Sequence, residues 1–230
     1  MIIIKKLLLI IFLLLLISGS FIFLIGYGYY SDTLHEKSLT ERVEEITSKE
    51  HYLSFDELPE NYINAVIAVE DHRYYEHGPV DFIAIARALY TNIRDGKFDE
   101  GGSTISQQVA KNVIFNQDKT LIRKVGELFG AYDLEKNYTK EEIFALYVNS
   151  SYFGDGYYCI YDASMGYFNK EPKDLNLDGA SMLAGIPNAP SVYSPTVNPD
   201  LAKKRQAHVL NKMVEYGYVS NEEADSIKNK

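Results

Sequence analysis

Three stretches of the chain carry residue types at spacings that chemistry could use. The first is EDHRYYEHGPVD at 70–81. Glu70 falls where an apolar helical run, NAVIAV, gives out, so its carboxylate is expected near the negative pole of a helix and partly out of water. Both effects disfavour the ionised form, the direction that suits a general acid or base. A plain surface carboxylate at a helix end satisfies the same pattern. His72 and His77 with Glu76 raise a metal reading. Their spacing, H-x-x-x-E-H, differs from the H-E-x-x-H and H-x-x-E-H arrangements that bring two imidazoles onto one helix face, so no metal site is expected.

The second stretch is GGSTISQQVAKN at 101–112. Two glycines followed by Ser103 and Thr104 at a helix start leave backbone N–H groups and hydroxyls available to an anion. Gln107 and Gln108 lie four and three residues before Lys111, with Asn112 next, while Ile105 and Val109 take the other face. The third stretch is KTLIRKVGELFGAYDLEK at 119–136, in which Arg123 and Lys124 stand four and three residues before Glu127. An exposed ion-pair ladder accounts for that spacing at a few tenths of a kcal/mol per pair. Between Gly102 and Glu127, however, Lys111, Lys119, Arg123 and Lys124 face only Asp118 and Glu127. The whole chain has 23 Lys+Arg against 32 Asp+Glu, a net charge of −9. A basic island in an acidic chain points to a localised anionic ligand, and a diphosphate fits it.

The elements that must position these residues read as helices. With 46% apolar and 24% charged residues the chain can build a core. Its acidic balance argues against a nucleic-acid partner. The single Cys159 excludes an internal disulfide and a cysteine-rich zinc site. Tyr62, Ile63, Val66, Ile67 and Val69 recur at helical spacing after a capping box at Ser54–Glu57. Asp81 and Gly96 bracket FIAIARALYTNI, Thr120 or Asp118 opens a helix to about Asn137, and Thr139–Glu142 and Ser220–Glu223 are further capping boxes. No period-2 run and no repeat is present, so the fold expected is all-α.

Leu7–Ile25 is a run of 19 residues interrupted only by Ser18, Gly19 and Ser20. As a helix it covers about 30 Å, the hydrocarbon core of a bilayer. Lys5 and Lys6 precede it and Asp32 and Glu36 follow, which puts the N-terminus in the cytoplasm. A cleaved signal peptide is the competing reading, but the apolar run continues past the small residues where cleavage would fall. The expected organisation is a cytoplasmic tip and membrane anchor over 1–30, a stalk over 31–50 and an external domain over 51–230.

Taken together and in order, these residues resemble the peptidoglycan glycosyltransferase family (family 51), in its monofunctional membrane-anchored form. Glu70, Asp71, Tyr74 and His77 look like its first motif, GGSTISQQVAKN its second, and Arg123, Lys124 and Glu127 its third. KEEIFALYVNSSYFGDG at 140–156 and ASMLAGIPNAPSVYSP at 180–195 look like the fourth and fifth. The chain ends soon after, so no transpeptidase domain is expected. The resemblance implies a lysozyme-like helical domain with two lobes around a cleft, the smaller lobe touching the membrane. It implies polymerisation of lipid II into β-1,4-linked glycan with inversion at the donor sugar and release of undecaprenyl pyrophosphate.

Carried over by position, Glu70 is the general base and Glu127 a second essential carboxylate. Lys111, Lys119, Arg123 and Lys124 hold the diphosphate. Asp71, His77, Ser103, Thr104, Gln107, Gln108 and Asn112 belong to the substrate-binding set. No cofactor is required by the resemblance, although it leaves room for a divalent cation, Mg or Mn. The implied partners are the growing glycan strand, membrane lipid and a penicillin-binding transpeptidase. The chain departs from the family pattern at Tyr74 (usually Phe), Pro79 (usually Gly), Lys119 (often Arg), and Cys159 and Asn169 (commonly Gly). Two rival readings are a lytic muramidase of the same architecture, which cleaves finished glycan, and a catalytically silent membrane adaptor of wall synthesis.

Overall fold

The computed structural model describes residues 2–96, 101–115 and 120–229, and among them are twelve α-helices and no strand. The all-α expectation holds. The first helix, α1 (Ile2–Glu36), is continuous over 35 residues and is the one helix among the described residues long and apolar enough to cross a membrane.

Residues 31–50 do not form the expected stalk. α1 runs on to Glu36, and α2 (Leu39–Thr47) follows, opened by a reciprocal capping box between Ser38 and Glu41. Its polar composition hid a stripe at 39, 43 and 46 whose three apolar side chains are buried in the common core. Arg42 fastens the connection by donating to the carbonyls of Thr33 and Lys37.

The capping box at Ser54–Glu57 opens a single 3-10 turn, and α3 (Glu60–Glu70) starts only after Pro59. The core of α3 is Tyr62, Ala65, Val66 and Ile67, all nearly inaccessible. Burying each of the larger ones contributes about 2 kcal/mol. α4 (Phe82–Asp95) begins at Asp81, whose Oδ1 accepts from the Ile83 and Ala84 amides, and ends at Gly96 in the left-handed conformation. α5 (Ile105–Val113), α6 (Leu121–Asn137) and α7 (Lys140–Ser150) are capped by Thr104, Thr120 and Thr139.

The remaining elements are α8 (Ile160–Phe168), α9 (Leu177–Gly185), the four-residue α10 (Pro190–Tyr193), α11 (Pro199–Glu215) and α12 (Asn221–Lys228). Two of the departures from the family pattern serve as caps. The Cys159 thiol accepts from the Asp162 amide at the start of α8, and Asn169 takes φ 51° at its end, a conformation asparagine tolerates. Tyr74 finds a partner for its extra hydroxyl, which donates to the Lys140 carbonyl at 2.7 Å.

Two helix groups flank the site. α3, α9 and α11 pack on one another, α6 packs on both α1 and α5, and α7 joins α5 to the rest of the core. The α1–α6 contact is close: Gly26 is buried against Val125, and Phe129 meets the rings of Phe23, Tyr27 and Tyr30 at 4.9, 5.1 and 5.9 Å. Tyr30 also donates a short hydrogen bond to Asp133.

Candidate active site

Between the two groups lies a cavity of about 590 Å³ whose walls come from α3, α4, α5, α6 and α11. Glu70, Asp71, Ser103, Thr104, Gln108, Lys111, Arg123, Lys124 and Glu127 all line it. Residues scattered over almost sixty positions of sequence thus share one space. Lys119 lies outside the described residues.

Glu70 is the last residue of α3, and its side chain is 8% exposed. Its Oε2 accepts from Gln108 Nε2 at 2.8 Å, so α5 orients it. Its Oε1 accepts from Arg205 Nη2 at 3.3 Å. Arg205, on α11, was not in the expected set, and it changes the electrostatics. Its guanidinium sets a positive charge directly against the carboxylate. The signal was present but faint: α11 carries Ala202, Gln206, Val209 and Met213 as its buried stripe, and Arg205 sits within it. The guanidinium also donates to the Gly185 carbonyl and lies over the Tyr193 ring, so it is held in place from three sides.

The cationic side of the cavity is built on α5 and α6. Lys124 Nζ bridges Ser103 Oγ at 2.7 Å and Glu127 Oε2 at 2.9 Å. Arg123 Nε stands 3.3 Å from Glu127 Oε1. Glu127 is only 2% exposed, and neither Arg123 Nε nor Glu127 Oε1 has an aligned hydrogen-bond partner among the described residues. The exposed ladder allowed by sequence is therefore an inward-facing, partly unsatisfied charge cluster. Lys111 has no carboxylate within 4.0 Å among the described residues. Burial holds its ammonium below the usual lysine range, with Glu127 opposing that shift. A group in that state gains from an incoming anion.

Several expected substrate contacts lie behind the wall. The anion cradle anticipated at the start of α5 is already filled by Asp71, whose Oδ2 accepts the Ile105 amide at 3.0 Å. His77 does not line the cavity. Its Nε2 donates to Asp71 Oδ1 at 2.6 Å and its Nδ1 to the Gly78 carbonyl at 2.5 Å, which only the doubly protonated ring can satisfy. Burial lowers the His77 pKa, but these acceptors outweigh it and leave the ring above the ordinary imidazole value. Gln107 is likewise buried, its Nε2 donating to the Pro79 carbonyl, which also accepts from Thr104 Oγ1. Pro79 thereby ties the loop after Glu70 to α5. Asn112 is half-buried outside the lining.

Asp71, His77 and Asp81 bring three ligand-type atoms within 4.8 Å of one another. They do not suit a cation, because both ring nitrogens of His77 are taken up by Asp71 and the Gly78 carbonyl, and Arg73 clamps both oxygens of Asp81 at 2.6 and 3.1 Å. Burial alone would raise the Asp81 pKa, yet Arg73 and the α4 amides bring it down to about 2.

The cavity extends beyond the expected residues to His72, Arg87, Lys212 and Tyr216. His72 stacks on Tyr216 at 4.4 Å and accepts from Arg87 at 3.1 Å. Burial, then the two neighbouring arginines, lower its pKa. α4 is two-faced. Ala84, Arg87 and Thr91 line the cavity, while Phe82, Ile83, Leu89, Tyr90 and Ile93 on the opposite side are 59–77% exposed. At Gly102 the chain passes so near α4 that a Cβ would meet Ile85 at 3.1 Å, which holds the glycine loop against this helix.

A helical domain whose cleft brings carboxylates with buried side chains, Glu70 and Glu127 among them, together with a cluster of cations has the makings of a group-transfer site. The model of the Transglycosylase family matches residues 36–214, and the chain belongs to that family. It is 40% identical to penicillin-binding protein 1F of Bacillus subtilis over 96% of its own length and 33% of that relative. It is 43% identical to penicillin-binding protein 1A of Neisseria lactamica and 41% identical to that of Aquifex aeolicus, in each case over 79% of its length. The aligned part covers 23% and 25% of those two relatives, so the chain spans a third or less of the proteins it matches.

Proposed function

We propose that the chain is a peptidoglycan glycosyltransferase that polymerises lipid II into β-1,4-linked glycan and releases undecaprenyl pyrophosphate. Glu70 takes the proton from the acceptor 4-hydroxyl, held in place by Gln108 and Arg205. The hydroxyl attacks the anomeric carbon from the face opposite the diphosphate, which inverts the centre. Negative charge then grows on the departing diphosphate, and Lys111, Arg123 and Lys124 are preorganised to receive it. Lys119 joins that set by its place in the family pattern. A diphosphate leaves readily once its charge is met, so one base and several cations suffice.

The observation that carries this reading is that Glu70 and the α5 and α6 cations line one cavity. Placement of the membrane adds support. Gly26, the first residue beyond the apolar run, packs against Ile122 and Val125, immediately beside Arg123 and Lys124. A spanning α1 would therefore hold these cations at the bilayer surface, the depth of a lipid-linked diphosphate. The exposed apolar face of α4 suits contact with the same surface. In this reading the N-terminus is cytoplasmic, the domain external and the anchor single-pass. The growing strand is the second substrate, and a penicillin-binding transpeptidase that cross-links the product is a proposed partner.

No resident cofactor is needed. Glu127 is a single carboxylate among three cations, a poor donor set for Mg or Mn, and a divalent ion would arrive with the substrate diphosphate. Labelled lipid II and purified sacculi are to be offered in parallel, with gel analysis of products and a moenomycin-type inhibitor as control. Inhibitor-sensitive polymer from lipid II, with sacculi unchanged, is the expected result. Soluble muropeptides from sacculi would make the protein a muramidase, and no turnover of either would make it an adaptor.

A further inference from the structure

We infer that the α1–α6 contact sets the height of the cationic end of the cavity above the bilayer, with Gly26 as the positioning residue, so that turnover is tuned to bilayer thickness. The inference rests on the proposed reading of a spanning α1 and a lipid-linked substrate. A Cβ added at Gly26 would meet Val125 Cγ1 at 2.5 Å and the Ile122 carbonyl at 3.2 Å. The two backbones therefore touch, and no larger residue fits unless α6 moves. One turn further, Phe129 is enclosed by Phe23, Tyr27 and Tyr30, and Tyr30 is hydrogen-bonded to Asp133. The contact thus runs from Ile122 to Asp133, about three turns, and includes the segment whose other face carries Arg123, Lys124 and Glu127. Close-packed helices joined over that length move together.

The other end of α1 is free. Leu7 to Ile17 are exposed on every side, so bilayer thickness alone fixes where that segment rests. Each residue added to or removed from the span displaces the rigid α1–α6 unit by about 1.5 Å unless tilt absorbs it. The lipid diphosphate stays at the depth of the headgroups. Arg123 and Lys124, mounted on that one rigid unit, cannot follow it independently.

The test inserts three leucines between Leu14 and Leu15, where both neighbours are 60–65% exposed and no contact with the domain is disturbed. Full-length wild type and insertion protein are reconstituted in phosphatidylcholine vesicles of short to long monounsaturated acyl chains, and polymer formation from lipid II is followed in each. Wild type is expected to show an optimum chain length and the insertion protein an optimum at longer chains. In the wild type's best bilayer the insertion is expected to cost about tenfold in rate. Gly26→Leu is expected to lose about tenfold in rate and to flatten the thickness profile. Gly28→Leu, where a Cβ meets nothing within 4 Å, is expected to leave both unchanged. Identical profiles for wild type and insertion protein overturn the inference, as does a Gly26→Leu protein that behaves like wild type. Absence of polymer from wild type in every bilayer would instead refute the proposed function itself.

Discussion

Glu70→Gln tests the assignment of the base most directly. Glutamine keeps the shape of the side chain, and its carbonyl oxygen can still accept from Gln108 Nε2, which now stands 2.8 Å from Glu70 Oε2. Two things are lost: the proton-accepting carboxylate and the charge opposite Arg205. Loss of a positioned general base lowers the rate by about 10²–10⁴-fold, or about 2.7–5.4 kcal/mol of barrier. The structural cost is smaller. Breaking a fully buried ion pair costs about 3–5 kcal/mol, but Arg205 is 14% exposed and keeps the Gly185 carbonyl and the Tyr193 ring, so about 1–2 kcal/mol is expected. The cations at 111, 123 and 124 do not touch Glu70 within ion-pair distance, so lipid II binding should persist. Polymerisation on gels, substrate binding by fluorescence and thermal unfolding in detergent separate the three effects. Polymer made within tenfold of the wild-type rate by a folded Glu70→Gln protein would remove Glu70 from the base role. Loss of binding together with rate would assign it to substrate recognition.

Arg205→Met should lower the polymerisation rate about tenfold with little change in substrate affinity, because it releases Glu70 without touching the cationic end, and Arg205→Lys should recover part of the loss. Equal rates for Arg205→Met and wild type would refute a positioning role. Asp81→Asn should destabilise the fold by about 2 kcal/mol at neutral pH, from a folded-state pKa of about 2 against 3.8 unfolded. Because the folded value is depressed, that stability is present above pH 3.8 and disappears as pH falls through about 2, so the unfolding curves of variant and wild type should converge there. His77 has the opposite sign. Its raised value means that the Asp71–His77 contribution is complete below the ordinary imidazole pKa and is lost as pH rises through the folded value. Asp71→Asn should remove that component from a melting-temperature profile between pH 5 and pH 9, and an unchanged profile would show that His77 does not titrate in the fold.

Helix starts were the most legible part of the chain because caps are local. Thr120, Thr139 and Ser220 each accept the amide three residues on, as their sequence neighbours foretold. The charge cluster was legible as a cluster, since Lys111, Arg123, Lys124 and Glu127 share a cavity. What escaped depended on tertiary contact. Leu39, Val43 and Ile46 are too few among charged residues to mark a core helix, and only docking against the domain reveals them. Arg205 pairs with a residue 135 positions away, a partnership no local pattern encodes. His77 and Gln107 carry the residue types of a binding site, but their polar atoms are satisfied by Asp71, Gly78 and Pro79, so they shape the wall from behind. Glu70 does end its helix as the sequence indicates, but the cation that faces it comes from α11.

The aromatic pile between α1 and α6 has a practical side. A recombinant fragment cut at residue 30 to obtain a water-soluble enzyme would strip the cover from Phe115, Val125 and Phe129 while α4 still presents Phe82, Leu89 and Ile93 to solvent. Two greasy surfaces on so small a body favour self-association. Shortened versions of this protein should therefore precipitate or form oligomers unless a surfactant takes the place of the missing helix.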